Sequence, residues 1–226
     1  MYGRPVLPFP HATRSAITGG VVQWRSVLAR ARRRPAGFVL PCQPVLSDRI
    51  PTGPEWIHEL KWDGYRIIAR REGGRVCLWS RTGRNWSDAF PSIVAAIERL
   101  PVENVAIDGE AVCLLPDGRP DFGALRSKHA CRDARLIAFD LLGLNGEDLR
   151  RMPLHARRKR LAGLLRAWDE ALWFSGNVQG RDGEALFARA CAMGLEGIVS
   201  KRIDTAYRSG PFSGWRKIKC PGYVRP

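Results

Sequence analysis

Short apolar runs alternate with turn-forming residues along most of the chain, a pattern typical of a domain with several strands. The turn Glu72-Gly73-Gly74-Arg75 predicts a hairpin. The run that ends at residue 115 is interrupted by Asp108-Gly109-Glu110. Besides the apolar residues on either side of Lys61, the predicted strands are 76–79, 105–115, 136–142, 197–201 and 215–219.

Four segments have the apolar spacing of helices. Pro101 closes the first, and the last is predicted to begin with Asp182 as its cap and to end at Gly194. The predicted helices are 89–100, 122–126, 154–168 and 183–193. Several strands with interspersed helices predict an α+β domain with antiparallel sheets.

The first 37 residues have a separate composition. They contain several prolines and the run Arg30-Ala31-Arg32-Arg33-Arg34, and no acid precedes Asp48. This predicts a mostly disordered basic arm over 1–37, with at most a short helix at 21–34, and a folded domain over 38–226. The arm could grip DNA or have no dedicated role, and it also has the Arg-rich, acid-free composition of an organelle transit peptide.

The overall charge favours an anionic partner. The 226 residues include 37 Lys and Arg against 22 Asp and Glu, a net charge of +15. Such a surface attracts nucleic acid or anionic membranes, although a protein from a GC-rich genome can be equally rich in Arg. No apolar run reaches the roughly 18 residues of a membrane span, and residues 1–30 lack the apolar segment of a signal peptide.

The six cysteines are scattered, without a C-x-x-C pair or a Cys/His cluster. This spacing argues against a zinc site and against a disulfide framework, and it fits a reducing compartment. We therefore expect a cytoplasmic protein.

The segment Glu59-Leu60-Lys61-Trp62-Asp63-Gly64-Tyr65-Arg66 is the candidate centre of the chemistry. Asp63-Gly64 is a turn signal between two apolar runs, so Lys61 precedes a tight turn. A lysine held over a cleft is a nucleophile when burial or nearby cations lower its pKa. The alternative is a solvated lysine beside an ordinary hairpin turn.

Four more charged residues stand at unusual places. Glu110 and Glu196 adjoin apolar strands, where a carboxylate can bind a divalent metal or a ribose hydroxyl. Lys217 and Lys219 alternate along one strand, so they share a face that suits a polyphosphate. Each feature taken alone is also compatible with a surface turn or a solvated strand face.

Taken in order, these segments resemble the motif series of the covalent nucleotidyltransferases. Lys61, Asp63, Gly64 and Arg66 match the nucleotidyl-acceptor pattern Lys-x-Asp-Gly-x-Arg. The further motifs are Ser80-Arg81-Thr82-Gly83 (where the family usually has Asn at the third position), Asp108-Gly109-Glu110, Phe139-Asp140-Leu141-Leu142, Glu196-Gly197-Ile198-Val199-Ser200-Lys201 and Trp215-Arg216-Lys217-Ile218-Lys219. The series covers residues 38–219 and is most similar to ATP-dependent DNA ligases of the bacterial end-joining type. It implies an ATP-grasp-like nucleotidyltransferase domain with antiparallel sheets flanked by helices.

The resemblance implies that Lys61 attacks the α-phosphate of ATP and becomes a lysyl–AMP. Glu59 would read the adenine amino edge and Phe139 would stack on the base. Lys217 and Lys219 would neutralise the α-phosphate. The AMP would then pass to a 5′-phosphate at a DNA nick or end, where a 3′-hydroxyl displaces it.

The remaining implied roles concern the ribose, the phosphates and the metal. Arg66, Arg81 and Glu110 would hold the ribose and adjacent phosphates. Glu196, with Glu110, would bind Mg²⁺ or Mn²⁺. In phosphoryl transfer, positioning and charge neutralisation provide most of the catalysis.

One expected part of the family is missing from the sequence. The chain ends seven residues after Lys219, whereas ligases of this family continue into an OB-fold domain. A partner chain, an OB-fold domain or a repair protein, could supply it in trans. The alternatives are a non-catalytic or partner-dependent remnant that binds nucleotide or DNA, an RNA ligase, or a GTP-dependent capping enzyme.

Overall fold

The computed structural model describes residues 37–127, 130–167 and 169–224. Apart from Gly37, the predicted basic arm and its helix at 21–34 lie outside these residues. The described strands are β1 (Cys42–Leu46), β2 (Trp56–Leu60), β3 (Tyr65–Glu72), β4 (Arg75–Ser80), β5 (Val105–Val112), β6 (Arg135–Leu144), β7 (Glu147–Asp148), β8 (Leu172–Phe174), β9 (Val178–Gln179), β10 (Gly197–Arg202) and β11 (Gly210–Lys219). The helices are α1 (Pro91–Glu98), α2 (Phe122–Arg126), α3 (Leu154–Leu164) and α4 (Asp182–Ala192).

The strands form two sheets. The first sheet has the order β1-β11-β10-β2-β9, and the second has the order β4-β3-β5-β6-β7 with β8 beside β6. Most neighbours are antiparallel, as predicted, while β1 pairs with β11 and β8 with β6 in parallel. The predicted α+β class is therefore confirmed, with mixed rather than purely antiparallel sheets.

A buried apolar cluster joins the two sheets. Ile57 and Trp215 belong to the first sheet, whereas Ile68, Phe139 and Leu142 belong to the second, and all five are at most 6% exposed. Burial of this apolar surface stabilises the stacking of the sheets, since each large apolar side chain that is fully buried contributes roughly 1.5–3 kcal/mol to the free energy of folding. The stacking also brings the polar residues at the end of the cluster close together.

The helices cover the outer faces of the sheets. Ile93 and Ile97 of α1 and Phe122 of α2 pack in the main core on the second sheet. Ala190 of α4 packs with Ile198 of the first sheet. No helix within the described ranges is long and apolar enough to cross a membrane.

The predicted turn after Lys61 is not a hairpin. Strand β2 ends at Leu60 in the first sheet and β3 begins at Tyr65 in the second, so residues 61–64 cross from one sheet to the other. The alternative of an ordinary hairpin turn is therefore wrong, because Asp63-Gly64 signals a turn without specifying the partner strand. Gly64 is required by a close approach, since a Cβ at this position would lie 2.1 Å from the carbonyl oxygen of Ala111.

Several sequence predictions agree with the structure. The turn at residues 72–75 joins β3 to β4, with Gly73 and Gly74 at positive φ. Helix α2 has the predicted bounds, and Gly194 (φ +70°) follows the end of α4. Helix α1 is shorter than predicted at both ends, and α3 ends at Leu164, while the predicted last residue, Trp168, lies outside the described residues.

Other predictions were wrong. Strand β5 runs through Asp108-Gly109-Glu110 without interruption, because a register shift in its pairing with β6 accommodates the polar residues. Asp182 is the first residue of α4 rather than its cap, which is Arg181. Strands β1, β7, β8 and β9 were missed, three of them because they span only two or three residues.

A disulfide joins Cys191 at the end of α4 to Cys220, directly after β11. This bond contradicts the expectation from the scattered cysteine spacing, which argued against disulfides. Spacing along the sequence does not reveal which cysteines meet in the fold: these two are 29 positions apart, yet their Cα atoms lie 5.4 Å apart. The bond ties the helix to the strand that carries Lys217 and Lys219.

Candidate active site

Three adjacent strands of the first sheet present one polar face. Cross-strand neighbours in an antiparallel ladder point to the same side. Glu59 of β2, Val199 of β10 and Lys217 of β11 are such neighbours. Lys201 lies opposite Trp215 on the same face, which contacts the second sheet through the buried cluster.

Lys61 lies at the edge of this face, beside a buried carboxylate. Its backbone N–H donates to the carbonyl of Gly197 at 2.9 Å. Its Nζ lies 2.6 Å from Oε2 of Glu196, and Nζ of Lys219 lies 2.9 Å from Oε1 of the same residue. One carboxylate therefore holds both lysines. Burial raises the pKa of Glu196, but the hydrogen bonds and charges of the two lysines outweigh it, so the pKa lies below the usual value.

Gly197 allows Glu196 to reach this position. Its φ is +141°, and a Cβ would lie 2.0 Å from the carbonyl oxygen of Ile218 on β11. Only glycine adopts this backbone region without strain and also permits such an approach. The Glu-Gly pair of the sequence motif thus has a local structural cause.

Glu59 is almost completely buried, and both of its carboxylate oxygens accept hydrogen bonds. Its Oε1 accepts hydrogen bonds from Arg158 (2.7 Å) and Lys201 (2.9 Å), and its Oε2 accepts one from the Ser175 hydroxyl (2.8 Å). Burial lowers the pKa of Lys201 despite the opposing effect of Glu59, and the net direction is downward. The base of the pocket is therefore a compact charged network.

The second sheet supplies Arg66, which donates two hydrogen bonds to buried Asp108, at 2.5 and 2.9 Å. Tyr207 donates a third to the same carboxylate at 2.6 Å. The guanidinium carbon lies 4.4 Å from the ring centre of Phe139, and Nζ of Lys201 lies 4.0 Å from it. Two cations thus cover the ring that was predicted to stack on a base.

Glu110 lies opposite Arg66 on β5. Burial raises the pKa of this carboxyl to about 7, and the positive charges of Arg66 and Lys61 counteract only part of the effect. Among the described residues, no hydrogen bond or ion pair engages this carboxylate. It is an acceptor group available to a ligand.

The structure brings most of the predicted residues together. Glu59, Lys61, Arg66, Glu110 and Phe139 all line one pocket between the sheets. Lys217 and Lys219 follow on the same strand face, and Glu196 lies beside Lys61. The exception is Arg81, which lies on the exposed turn after β4 and does not line the pocket.

Two cations that bind Glu59, Lys201 and Arg158, were not assigned a role from the sequence. Lys201 closes the motif that begins with Glu196, so its position in the motif was a signal. Arg158 carried no signal, because it stands in the run Arg157-Arg158-Lys159-Arg160 and the sequence does not reveal which of four cations turns inward. In the structure Arg157 and Arg158 are buried, and Arg157 binds buried Asp140 at 2.7 and 2.8 Å.

Glu196, which binds Lys61, and Glu110, which lines the same pocket as Lys61, are the predicted metal-binding carboxylates. The described residues contain no group of three or more His, Cys, Asp or Glu side chains suited to a metal. Mg²⁺ is commonly held by one or two carboxylates together with substrate phosphates and water. The donor set therefore fits a metal that binds with a nucleotide and not without it.

Comparison with known proteins identifies the family. The family described as "ATP dependent DNA ligase domain" matches residues 45–219. The multifunctional non-homologous end joining protein LigD of Pseudomonas aeruginosa is 41% identical over 203 residues, covering 84% of this chain and 24% of that protein. The corresponding DNA repair protein of Mycobacterium tuberculosis is 36% identical over 166 residues, covering 73% and 22%. The chain thus spans less than a quarter of the length of these relatives.

Solved structures show the same fold. The ligase domain of M. tuberculosis LigD is 32% identical with a TM-score of 0.67, covering 79% of this chain and 58% of that one. A mycobacterial DNA ligase D in complex with ATP and MES has a TM-score of 0.68 at 32% identity, covering 79% and 59%. The ATP-dependent DNA ligase of bacteriophage T7 shares the fold at 19% identity, with a TM-score of 0.58 and coverage of 80% and 68%. The resemblance predicted from the motifs is confirmed: the chain belongs to the ATP-dependent DNA ligase family and contains its catalytic domain.

Proposed function

We propose that Lys61 takes AMP from ATP and that the protein uses this adenylate to seal nicks in DNA. The observation that carries the proposal is the position of Lys61. Its ammonium group lies at the mouth of the inter-sheet pocket, held by Glu196, with Arg66 and Glu110 on the facing sheet. An unreactive surface lysine would be solvated, whereas Lys61 is largely buried and bound to a buried carboxylate.

In the first step, Nζ of Lys61 forms a P–N bond with the α-phosphorus of ATP as the P–O bond to pyrophosphate breaks. The amine must first lose a proton, and the nearest acceptor is Oε2 of Glu196 at 2.6 Å. Lys219, bound to the other oxygen of Glu196, and Lys217 on the same strand face would offset the charge that develops on the phosphate.

The adenine would enter between the sheets. Glu59 would accept a hydrogen bond from its exocyclic amino group, and Phe139 would stack on the ring. Because Arg66 and Lys201 lie over that ring, one of them would have to move for the base to stack on it. The family role of Arg81 requires a movement of its exposed turn toward the pocket.

Mg²⁺ or Mn²⁺ would be held by Glu196 and Glu110 together with the nucleotide. When bound, the metal would neutralise phosphate charge during the transfer. The raised pKa of Glu110 supports this assignment, because burying that carboxylate without a cation disfavours its charged form. In this arrangement Glu196 both binds Lys61 and faces the metal.

The AMP is then transferred to the 5′-phosphate of a nick, and the 3′-hydroxyl displaces it with formation of the phosphodiester bond. The net charge of +15 supports DNA as the partner. We propose roles in end-joining repair and recombination on the bacterial nucleoid, in the cytoplasm. An OB-fold domain or a repair protein in trans, and the basic arm at 1–37, would help to grip the DNA around the adenylation domain at 38–226.

Nick sealing tests the proposal. A fluorescent duplex with one 5′-phosphorylated nick is incubated with the protein, ATP and Mg²⁺, beside a matched RNA nick and a DNA nick that is already adenylated at its 5′ end. We expect the DNA products to lengthen and the RNA to remain unsealed. If the protein seals neither the plain nor the pre-adenylated DNA nick, the proposed function is wrong for this chain.

A further inference from the structure

The acceptor capacity of Glu59 is almost used up by the protein itself. An ionised carboxylate offers about four acceptor positions on its two oxygens. Arg158, Lys201 and Ser175 occupy three of them. One position is left on Oε2 for a ligand in the pocket, which is enough for a single N–H donor.

Arg158 holds more than Glu59. It comes from α3, outside the two strands that carry the motif lysines, and is 5% exposed. Nη1 donates to Glu59 and to the backbone carbonyl of Phe139 (3.0 Å), while Nη2 donates to the carbonyl of Ser175 (2.7 Å) and to Oδ1 of Asn177 (2.9 Å). One guanidinium therefore fixes both groups that would contact the base, the carboxylate and the aromatic residue.

We infer that Arg158 is the residue that sets the nucleobase specificity of this pocket, by holding Glu59 as a fixed hydrogen-bond acceptor beside the ring of Phe139. The inference rests on the proposed function, in which Glu59 and Phe139 contact the base. Arg158 acts through these two residues and is a positioning residue.

The discrimination follows from the chemistry of the purines. Adenine presents an amino group at C6, which donates to a carboxylate, whereas guanine presents a carbonyl oxygen there, which a carboxylate repels. A protonated glutamic acid could donate to that oxygen, and a carboxylate rotated out of the pocket would no longer repel it; either change would admit guanine. Two cations, Arg158 and Lys201, hold Oε1 of Glu59. The other hydrogen bonds of Arg158, to the carbonyls of Phe139 and Ser175 and to Asn177, fix the position of its guanidinium and so the point at which Oε1 is held.

Lys201 alone cannot hold Glu59 in a fixed position beside Phe139 as Arg158 does. Its ammonium group donates one hydrogen bond to Glu59 and lies over the Phe139 ring, but within the described part of the chain it donates none to the Phe139 backbone. Without Arg158, the carboxylate keeps one cationic partner and can rotate about its side-chain bonds. The base-facing group would then no longer be a defined acceptor.

The test measures equilibrium binding of ATP and of GTP by titration calorimetry, on the full chain with Lys61→Ala so that no adduct forms. The variants are Arg158→Gln, which keeps hydrogen-bonding capacity without charge, and Arg158→Lys, which keeps the charge without the fork. Lys159→Gln is the matched control, because it removes a cation from the next, exposed position of α3. Thermal melting reports whether each variant is folded.

We expect the parent protein to bind ATP in preference to GTP. In Arg158→Gln the ratio of the two affinities should fall at least tenfold, equivalent to about 1.4 kcal/mol. Arg158→Lys should recover part of the preference, and Lys159→Gln should retain all of it. A merely structural role for Arg158 would weaken both nucleotides equally and leave the ratio unchanged.

An unchanged ratio in folded Arg158→Gln overturns the inference, and so does a parent protein without preference for ATP. If Arg158→Gln does not fold, Arg158→Lys and Ser175→Ala decide, since each removes part of the same network. Wild-type ratios in both would also overturn it. Because these titrations need no chemistry, a failure of the proposed ligase activity would appear separately, in the nick-sealing assay.

Discussion

Replacement of Glu110 by Gln should stabilise the fold at alkaline pH. The folded protein raises the pKa of this carboxyl from 4.5 to about 7, so it retains a proton that the unfolded chain has lost between these values. By linkage, the free energy of unfolding of the wild type falls as the pH rises from 4.5 through 7. Glu110→Gln removes this titration and should abolish that part of the fall.

The magnitude follows from the shift. About 2.5 pKa units at roughly 1.36 kcal/mol per unit give an upper value of about 3.4 kcal/mol. Because Glu110 is only partly buried, solvent screening reduces the effect, and we expect about 1–3 kcal/mol at pH 9 relative to pH 4.

The assay is urea unfolding at a series of pH values in buffer containing EDTA, followed by tryptophan fluorescence. The free energy of unfolding of Glu110→Gln minus that of the wild type should be near zero at pH 4 and rise between pH 5 and 8. Glu72→Gln, at an exposed position, is the control and should show no such rise. A difference that stays constant from pH 4 to pH 9 would refute the account of Glu110.

Three further predictions concern the disulfide, the close approach at Gly197 and the charge. Without reductant, Cys191→Ser should lower the free energy of unfolding by about 3.5 kcal/mol, the loop entropy expected for a 29-residue separation. Cys77→Ser, the control at a free cysteine, should leave it unchanged. Equal stability of Cys191→Ser and the wild type would contradict the crosslink. Gly197→Ala should cost about 2–4 kcal/mol by urea unfolding, because its Cβ meets the Ile218 carbonyl at positive φ; a fully stable variant would refute this reason for glycine. Affinity for nicked duplex, measured by fluorescence anisotropy, should fall steeply between 50 and 200 mM salt, roughly in proportion to the phosphates contacted, and a flat response would argue against DNA clamping.

The sequence predicted the motif residues better than it predicted their surroundings. Lys61, Glu110, Glu196 and Lys219 were found because their chemistry is local to short motifs. The crossing of residues 61–64 between two sheets was not predicted, because the hydrogen-bond partner of a strand is a long-range property that turn residues do not encode.

Inward-facing cations were a second failure of prediction. Arg157 and Arg158 are adjacent in a basic helix, and both are buried against strand carboxylates, Asp140 of β6 and Glu59 of β2, which lie 17 and 99 residues away in the sequence. A buried arginine is stable only where it pairs with an opposite charge, and tertiary structure determines which carboxylate lies beside it. The same reasoning applies to the disulfide between Cys191 and Cys220, which depends on where α4 packs.

The central claim, that Lys61 accepts AMP, is tested most directly by the intact mass of the protein after incubation with ATP and Mg²⁺. The account predicts one added AMP in the wild type and in Lys159→Ala, none in Lys61→Ala, and nearly unchanged DNA binding in all three. An adduct that persists in Lys61→Ala, or a Lys61→Ala variant that loses DNA binding as well, would contradict the assigned role of this lysine.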